Sequence, residues 1–348
     1  SIIFQEMKLI QVLPIPIAFF YGLILSIRNG LFNTRVFKSH STLMPSLGIG
    51  NLSSGGTGKS IVVDYLISKY HSSHFIAVLS RGYGRKSFGF KIANSSSSAI
   101  EIGDEPFQFL RKYQKIRVVV GEDRVSATNK IFKYDPKINL LILDDVMQHR
   151  WITPSCLMLT TTYSNPFFND FMLPSGSLRE FAVGVKRAQI IIVTKCPSNF
   201  SEQNRVDFEK KCNLLPTQDI FFTKINYSKI IFNNLDKLSF ENLKTEKIVL
   251  VTGIADSRPL IHYLNSKKVS FIHLKYRDHF NYDVTAIKKI KKEARSSLIL
   301  TTEKDYGRLF PLLDSNKLFY IPITLTFFSE NEERRFNKRI KSFIKPKD

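Results

Sequence analysis

Gly50 to Ser60 reads GNLSSGGTGKS, and the reading of this stretch decides the fold class. The phosphate-loop pattern G-x-x-x-x-G-K-[ST] asks for glycine where this chain has Ser53, while Gly58, Lys59 and Ser60 match it. The loop follows an apolar run and precedes a helical pattern, the context in which a glycine-rich segment cradles phosphate. Backbone amides around Ser53, Ser54, Gly55, Gly56, Thr57 and Gly58 can converge on phosphate oxygens because no bulky side chain intervenes. Lys59 would neutralise the β- and γ-phosphates, the Ser60 hydroxyl suits Mg²⁺, and the following helix dipole favours the anion. ATP and Mg²⁺ are therefore the expected ligands. A strand-to-helix turn that needs glycine only for geometry is the competing reading, and GGTGKS in this setting argues against it.

Around the loop, short Val/Ile-rich runs alternate with helical stretches. The runs are 43–51, 75–80, 116–120, 140–144, 190–194 and 220–225, with helical patterns at 61–70 and 106–113. This is the βα signature of a doubly wound, mostly parallel sheet. A second series begins at KIVLVTGIAD (247–256) and continues through VSFIHL (269–274), a basic helix over 285–296 and SLILTTEKD (297–305). The polar stretch 226–246 reads as the connection. Three segments are expected: 1–42 as an N-terminal helical piece, 43–228 as the core, and 229–348 as a smaller α/β domain.

The chain has 348 residues, 43% hydrophobic and 23% charged, a globular composition. Lys and Arg number 51 against 30 acids, a net charge of +21, which points to an anionic partner. No nucleic-acid-binding motif or aromatic stacking pattern accompanies the charge. Three cysteines with no C-x-x-C pair exclude a disulfide framework and a cysteine zinc site. From Leu9 to Ile27 no residue is charged, but Pro14 and Pro16 are expected to break the first third, leaving too little helix to span a bilayer. A buried helix and a membrane-interface helix remain open. Phe19, Phe20 and Tyr21 with Arg28, Arg35 and Lys38 favour the interface.

Further motifs carry carboxylates and bases. The run 138–150 ends a strand in Asp144 and Asp145, where a Walker-B-type Mg²⁺ ligand belongs. Asp104 and Glu105 ahead of Pro106 fit either helix capping or a carboxylate that orients a nucleophile, and residues alone leave both open. In LPSGSLRE, Arg179 and Glu180 fit a surface ion pair or a phosphate and metal clamp. His279, in YRDHFNY, closes a strand where α/β proteins place ligands. VTKCP (193–197) has Pro197 where a guanine-reading loop has Asp, so GTP specificity by that route is unsupported.

These pieces, GNLSSGGTGKS, LSRGYGRK, GDEPF, VVVGEDR, LDDVMQHR, LPSGSLRE, VTGIAD, YRDHF and TTEKD, together resemble the tetraacyldisaccharide 4'-kinase (lipid A 4'-kinase) family over about residues 45–310. The resemblance implies a P-loop kinase core joined to a smaller C-terminal α/β domain that closes over the active site, with the N-terminal helix in the membrane interface. It implies ATP-dependent phosphorylation of the 4'-hydroxyl of a lipid A precursor, a tetraacylated glucosamine disaccharide 1-phosphate. It also implies a peripheral enzyme on the anionic cytoplasmic face of the bacterial inner membrane. By resemblance, Lys59 and Arg179 join a catalytic pair of Asp104 and His279, and Ser60, Asp144, Asp145 and Glu180 serve the metal. The sequence departs from the family's D-D-G-F-Q-H-R at Val146 and Met147, which puts Gln148 and His149 in doubt. The alternative is a membrane-associated ATPase of the deviant Walker-A kind, although Ser54 stands where its signature lysine belongs.

Overall fold

The computed structural model describes residues 15–295, 297–314 and 316–345. The chain forms an α/β structure of two compact units. The first comprises residues up to 79, 123–225 and 325 onward; the second comprises 80–122 and 226–324. Both Asp104 and His279 therefore lie in the second unit.

The first unit is built on a parallel sheet. Across it run Asp219–Tyr227, Ile190–Thr194, Cys156–Thr162, Ser46–Gly50, Leu140–Asp144 and Ile76–Ser80, every pairing parallel. Its central strands are buried along their whole length, as an all-apolar pattern requires of a sheet covered on both faces. Cys156–Thr162 carries no simple apolar signature, because its buried end is threonine. Those hydroxyls are satisfied locally: Thr160 donates to the Gly50 carbonyl at 3.3 Å, and Thr161 Oγ1 accepts from the Phe167 amide at 3.2 Å.

The register matters for function. Ile49 pairs with Asp144 on adjacent parallel strands, so both chains leave the sheet side by side at its carboxyl edge. Open α/β sheets collect ligands at this edge.

In helix Ile15–Asn33 the expected proline break does not fall at Pro16. Pro16 falls in its first turn, where a missing N–H leaves no intrahelical bond unmade. The part of the expected segment before Ile15 lies outside the described residues. Ala18 and Leu25 pack on the first unit's core, while Ile17, Phe20, Ile24 and Ile27 are 58–66% exposed. Among the described residues, no helix is long and apolar enough to cross a membrane.

The second unit holds a six-stranded mixed sheet in the order Lys237–Ser239, Ile230–Phe232, Leu318–Ile321, Leu298–Thr302, Ile248–Thr252, Phe271–Lys275. The first two pairings are antiparallel and the rest parallel. Residues 226–246 are thus not a plain connection; they supply the edge strand Lys237–Ser239, its neighbour Ile230–Phe232 and a turn of 3₁₀ helix. Helix Asp104–Lys112 and the antiparallel pair Lys91–Ile92 and Arg117–Val120 also belong to this unit.

Candidate active site

In the first unit the loop from Asn51 to Ser60 is organised by one buried side chain, Asn51. Its amide nitrogen donates to the Ser53 carbonyl at 2.6 Å and to Thr57 Oγ1 at 2.9 Å. Its amide oxygen accepts from Lys59 Nζ at 3.1 Å and from Arg179. Thr57 is fixed in turn by Thr160 and by Thr194, whose hydroxyl donates to the Thr57 carbonyl at 2.8 Å. The left-handed residues are Gly55 (φ 108°) and Gly58 (φ 88°). A Cβ on Gly58 would meet Thr194 at 3.0 Å, so glycine is required there both for conformation and for space. Ser53 needs no such freedom. Its backbone bridges to Leu178, and flanking bonds run from the Ser54 amide to the Ser177 carbonyl (2.6 Å) and from the Arg179 amide to the Leu52 carbonyl (2.7 Å).

Asp145 faces this loop. Its carboxylate receives Arg179 through both guanidinium nitrogens, at 2.9 and 3.2 Å, and Lys59 lies 3.5 Å away. Burial alone would raise its pKa; the Lys59 and Arg179 charges outweigh that and hold it far below the usual carboxylate range. The left-handed kink falls on Asp145 itself (φ 52°), not on Val146, so the departure from glycine at 146 is accommodated. Val146 and Met147 are both buried, and Met147 closes directly over Gly50. Gln148 still reaches the loop: its amide nitrogen donates to the Asn51 carbonyl at 2.8 Å and to Glu180 at 3.0 Å.

The remaining metal candidates are more dispersed. Asp144 ends its strand, buried, and Ser60 sits in the first turn of helix Lys59–Tyr70. Glu180 is held by Arg187 at 2.5 Å and by Asn29 at 3.1 Å. Among the described residues, no group of three or more His, Cys, Asp or Glu side chains converges as a metal site.

The second unit brings Asp104 and His279 together. Asp104 opens helix Asp104–Lys112 behind Gly103, and its Oδ2 lies 2.7 Å from His279 Nδ1. Two further cations complete the cluster. Arg308 donates to Asp104 from Nε at 2.6 Å and from Nη2, and its Nη1 binds the Phe280 carbonyl at 2.9 Å. Lys304 Nζ lies 2.9 Å from His279 Nε2, 3.2 Å from Glu105 and 3.4 Å from Asp278. An ammonium can only donate, so His279 Nε2 accepts from Lys304, while Nδ1 faces both Asp104 and, at 3.0 Å, Arg308 Nη2. Burial works to raise the Asp104 pKa, but the bond from His279 and the Arg308 charge win, and it is lowered. Lys304 is held above its ordinary range: burial opposes its charge, and Glu105, Asp278 and Asp104 outweigh that.

With this geometry in view, similarity to known proteins is decisive. The sequence model of the Tetraacyldisaccharide-1-P 4'-kinase family matches residues 10–345. The chain is 39% identical to Tetraacyldisaccharide 4'-kinase of Flavobacterium johnsoniae over 339 residues, covering 97% of this chain and 98% of that one. It is 41% identical to the Flavobacterium psychrophilum protein of the same name over 332 residues, covering 94% and 95%. The chain belongs to the tetraacyldisaccharide-1-P 4'-kinase family. A solved structure of LpxK from Aquifex aeolicus in complex with ATP shares the fold, with a TM-score of 0.76 at 24% identity, covering 95% of this chain and 99% of that one.

Sequence reading of this member of the 4'-kinase family singled out Lys59, Arg179 and Asp145, which the structure joins, and Asp104 with His279, which it also joins. It did not single out Asn51, Lys304 or Arg308. TTEKD, one of the stretches that carry the family resemblance, contains Lys304, but nothing in the chain signalled that Arg308 reaches Asp104, 204 positions away.

Proposed function

We propose that this chain transfers the γ-phosphate of ATP to the 4'-hydroxyl of a tetraacylated glucosamine disaccharide 1-phosphate, giving the bis-phosphorylated lipid A precursor. The observation that carries the reading is the cluster of Asn51, Lys59, Asp145 and Arg179 at the carboxyl edge of adjacent parallel strands. This is the arrangement of a P-loop kinase core. Amides of the loop bind phosphate oxygens, Lys59 and Arg179 balance the charge of the transferring group, and the dipole of helix Lys59–Tyr70 favours the anion. Ser60 with Asp144 and Asp145 offers hard oxygen donors that suit Mg²⁺, with Glu180 tied into the same network through Gln148. When bound, Mg²⁺ would neutralise charge on the phosphates.

In the second unit Asp104 orients the acceptor hydroxyl and takes its proton, with His279 fixing the carboxylate. A carboxylate below its usual pKa is a weak base. Phosphoryl transfer through a loose transition state asks mainly for orientation of the nucleophile, so such a group suffices. Arg308 and Lys304 are positioning residues for this pair.

The exposed apolar face of helix Ile15–Asn33 supports a peripheral position on the anionic cytoplasmic face of the inner membrane. The deciding experiment incubates purified protein with Mg-ATP and the disaccharide 1-phosphate and looks for the 4'-phosphorylated lipid. Hydrolysis of ATP at the same rate with and without lipid, and no phosphorylated lipid, would leave an ATPase instead.

A further inference from the structure

Beside the carboxyl end of helix Ile15–Asn33 the first unit carries a cleft of about 510 Å³, apart from the phosphate loop. Phe32 and Phe37 give it an aromatic lining, Arg35, Lys38, His40 and Arg150 line it with basic groups, and no lining residue is acidic. The key side chain is held in place before any ligand arrives. Arg150 Nη1 donates to the Asn29 carbonyl at 2.7 Å, Nη2 donates to Asn33 Oδ1 at 2.8 Å, and the guanidinium carbon sits 5.0 Å from the centre of the Phe32 ring. Phe32 is wedged edge-on against Phe37 and Trp151.

Local charge is unbalanced. Glu180, a carboxylate that acts on Arg150, already pairs with Arg187 at 2.5 Å, and Arg28 adds a third guanidinium to the neighbourhood. Burial first, then repulsion from Arg187 and Arg28, pushes Arg150 down to about 10 despite Glu180. An incoming dianion would relieve that repulsion and meet preorganised donors, the situation in which arginine selects phosphate.

We propose that this cleft binds the phosphate which the acceptor lipid already carries on its anomeric carbon, and so sets which end of the disaccharide is presented for phosphorylation. The inference rests on the kinase reading above. Two observations favour a phosphate on the acceptor over one on a bilayer lipid. Hydrogen bonds link Arg150 to the phosphate loop through Asn29, Glu180, Gln148 and Asn51 within the one unit. The exposed ridge of Phe20, Ile24 and Ile27 also runs along the same helix toward Phe32, giving acyl chains a path to a phosphate held there.

The test compares wild type with Lys38→Ala, Arg35→Ala and Arg150→Lys on two acceptors in detergent micelles: the tetraacyldisaccharide 1-phosphate and the same lipid lacking its phosphate. The first two residues lie on the surface, so their replacement leaves the packed Phe32 region intact. Loss of a charge-assisted phosphate contact is expected to raise KM for the phosphorylated acceptor about tenfold or more, with kcat within about twofold. Wild type should show a comparable penalty on the acceptor without phosphate, and there the variants should match it. An equal loss on both acceptors, or no loss on either, overturns the proposal. Unchanged KM in micelles with weakened binding to phosphatidylglycerol vesicles would assign the cleft to bilayer headgroups and also overturn it. If wild type phosphorylates neither acceptor, titration with glucosamine 1-phosphate separates the two ideas. Binding lost in Lys38→Ala keeps the cleft and sinks the kinase; no binding by wild type sinks the cleft.

Discussion

Asp145 receives Arg179 on both oxygens and has Lys59 beside Oδ1, and Asn51 holds both of those cations from the other side. Lys59→Ala therefore removes a charge from the phosphates and a partner from Asp145 together. A fall in kcat of about 10²–10³-fold is expected, measured as lipid phosphorylation under saturating ATP. At the second cluster, Arg308→Gln leaves Asp104 buried without its bidentate partner, a change that costs about 3–5 kcal/mol where a buried pair is broken. The pH dependence should change with it. Asp104 titrates lower in the folded than in the unfolded chain, so its contribution is fully present above its ordinary value of 3.8 and is lost as pH falls through the depressed folded value. Thermal unfolding followed between about pH 6 and 3 should show wild type losing this stabilisation on acidification, while Arg308→Gln has little of it to lose. The Gly50–Ser60 motif was readable because glycine at positive φ has few substitutes. Arg308 was not, since a long side chain that crosses to a partner far away in sequence leaves no local trace.

Helix Ile15–Asn33 has two faces with different tasks, and substitutions on each should separate them. Ile24→Glu, on a side chain 66% exposed, should abolish binding to anionic vesicles while shifting stability by no more than about 0.5 kcal/mol. Gly22→Leu works the opposite way. A Cβ there would stand 2.5 Å from the tip of the Phe181 ring, so that ring or the helix must move, and a lowered Tm is expected. Legibility also differed by element. Strands made of aliphatic residues declared themselves, as at Ile190–Thr194 and Leu140–Asp144. Cys156–Thr162 did not, because buried threonines satisfy their hydroxyls through contacts that no single segment reveals. Within 226–246 the edge strand Lys237–Ser239 looked like linker because an edge strand keeps polar residues on its open side.

At the scale of the whole chain, each compact unit is assembled from separated stretches. The helix Glu330–Ile344 belongs with the first unit, where Glu332 receives Arg205 at 2.9 Å, Glu333 accepts from the Tyr65 hydroxyl at 2.8 Å, and Phe336 packs against Phe221. A chain stopped after Phe328 should therefore destabilise the part that holds the phosphate loop, although the loop is some 270 positions earlier. A fall in Tm of roughly 10 °C or more is expected by calorimetry. Chain order gave no sign of this return, because an amphipathic helix such as Glu330–Ile344 does not specify the surface it packs on.

The backbone clip at Ser53 has a consequence for exchange with solvent. The amides of Ser54 and Arg179 are already engaged by carbonyls, and Thr57 is bonded to Gly55. Deuterium should enter these amides slowly whether nucleotide is absent or present. The amides of Gly56 and Gly58 have no such acceptor among the described residues, and their uptake should slow only when a polyphosphate arrives. One half of the cradle is thus rigid in advance, and the entropy of ordering falls on a few glycines.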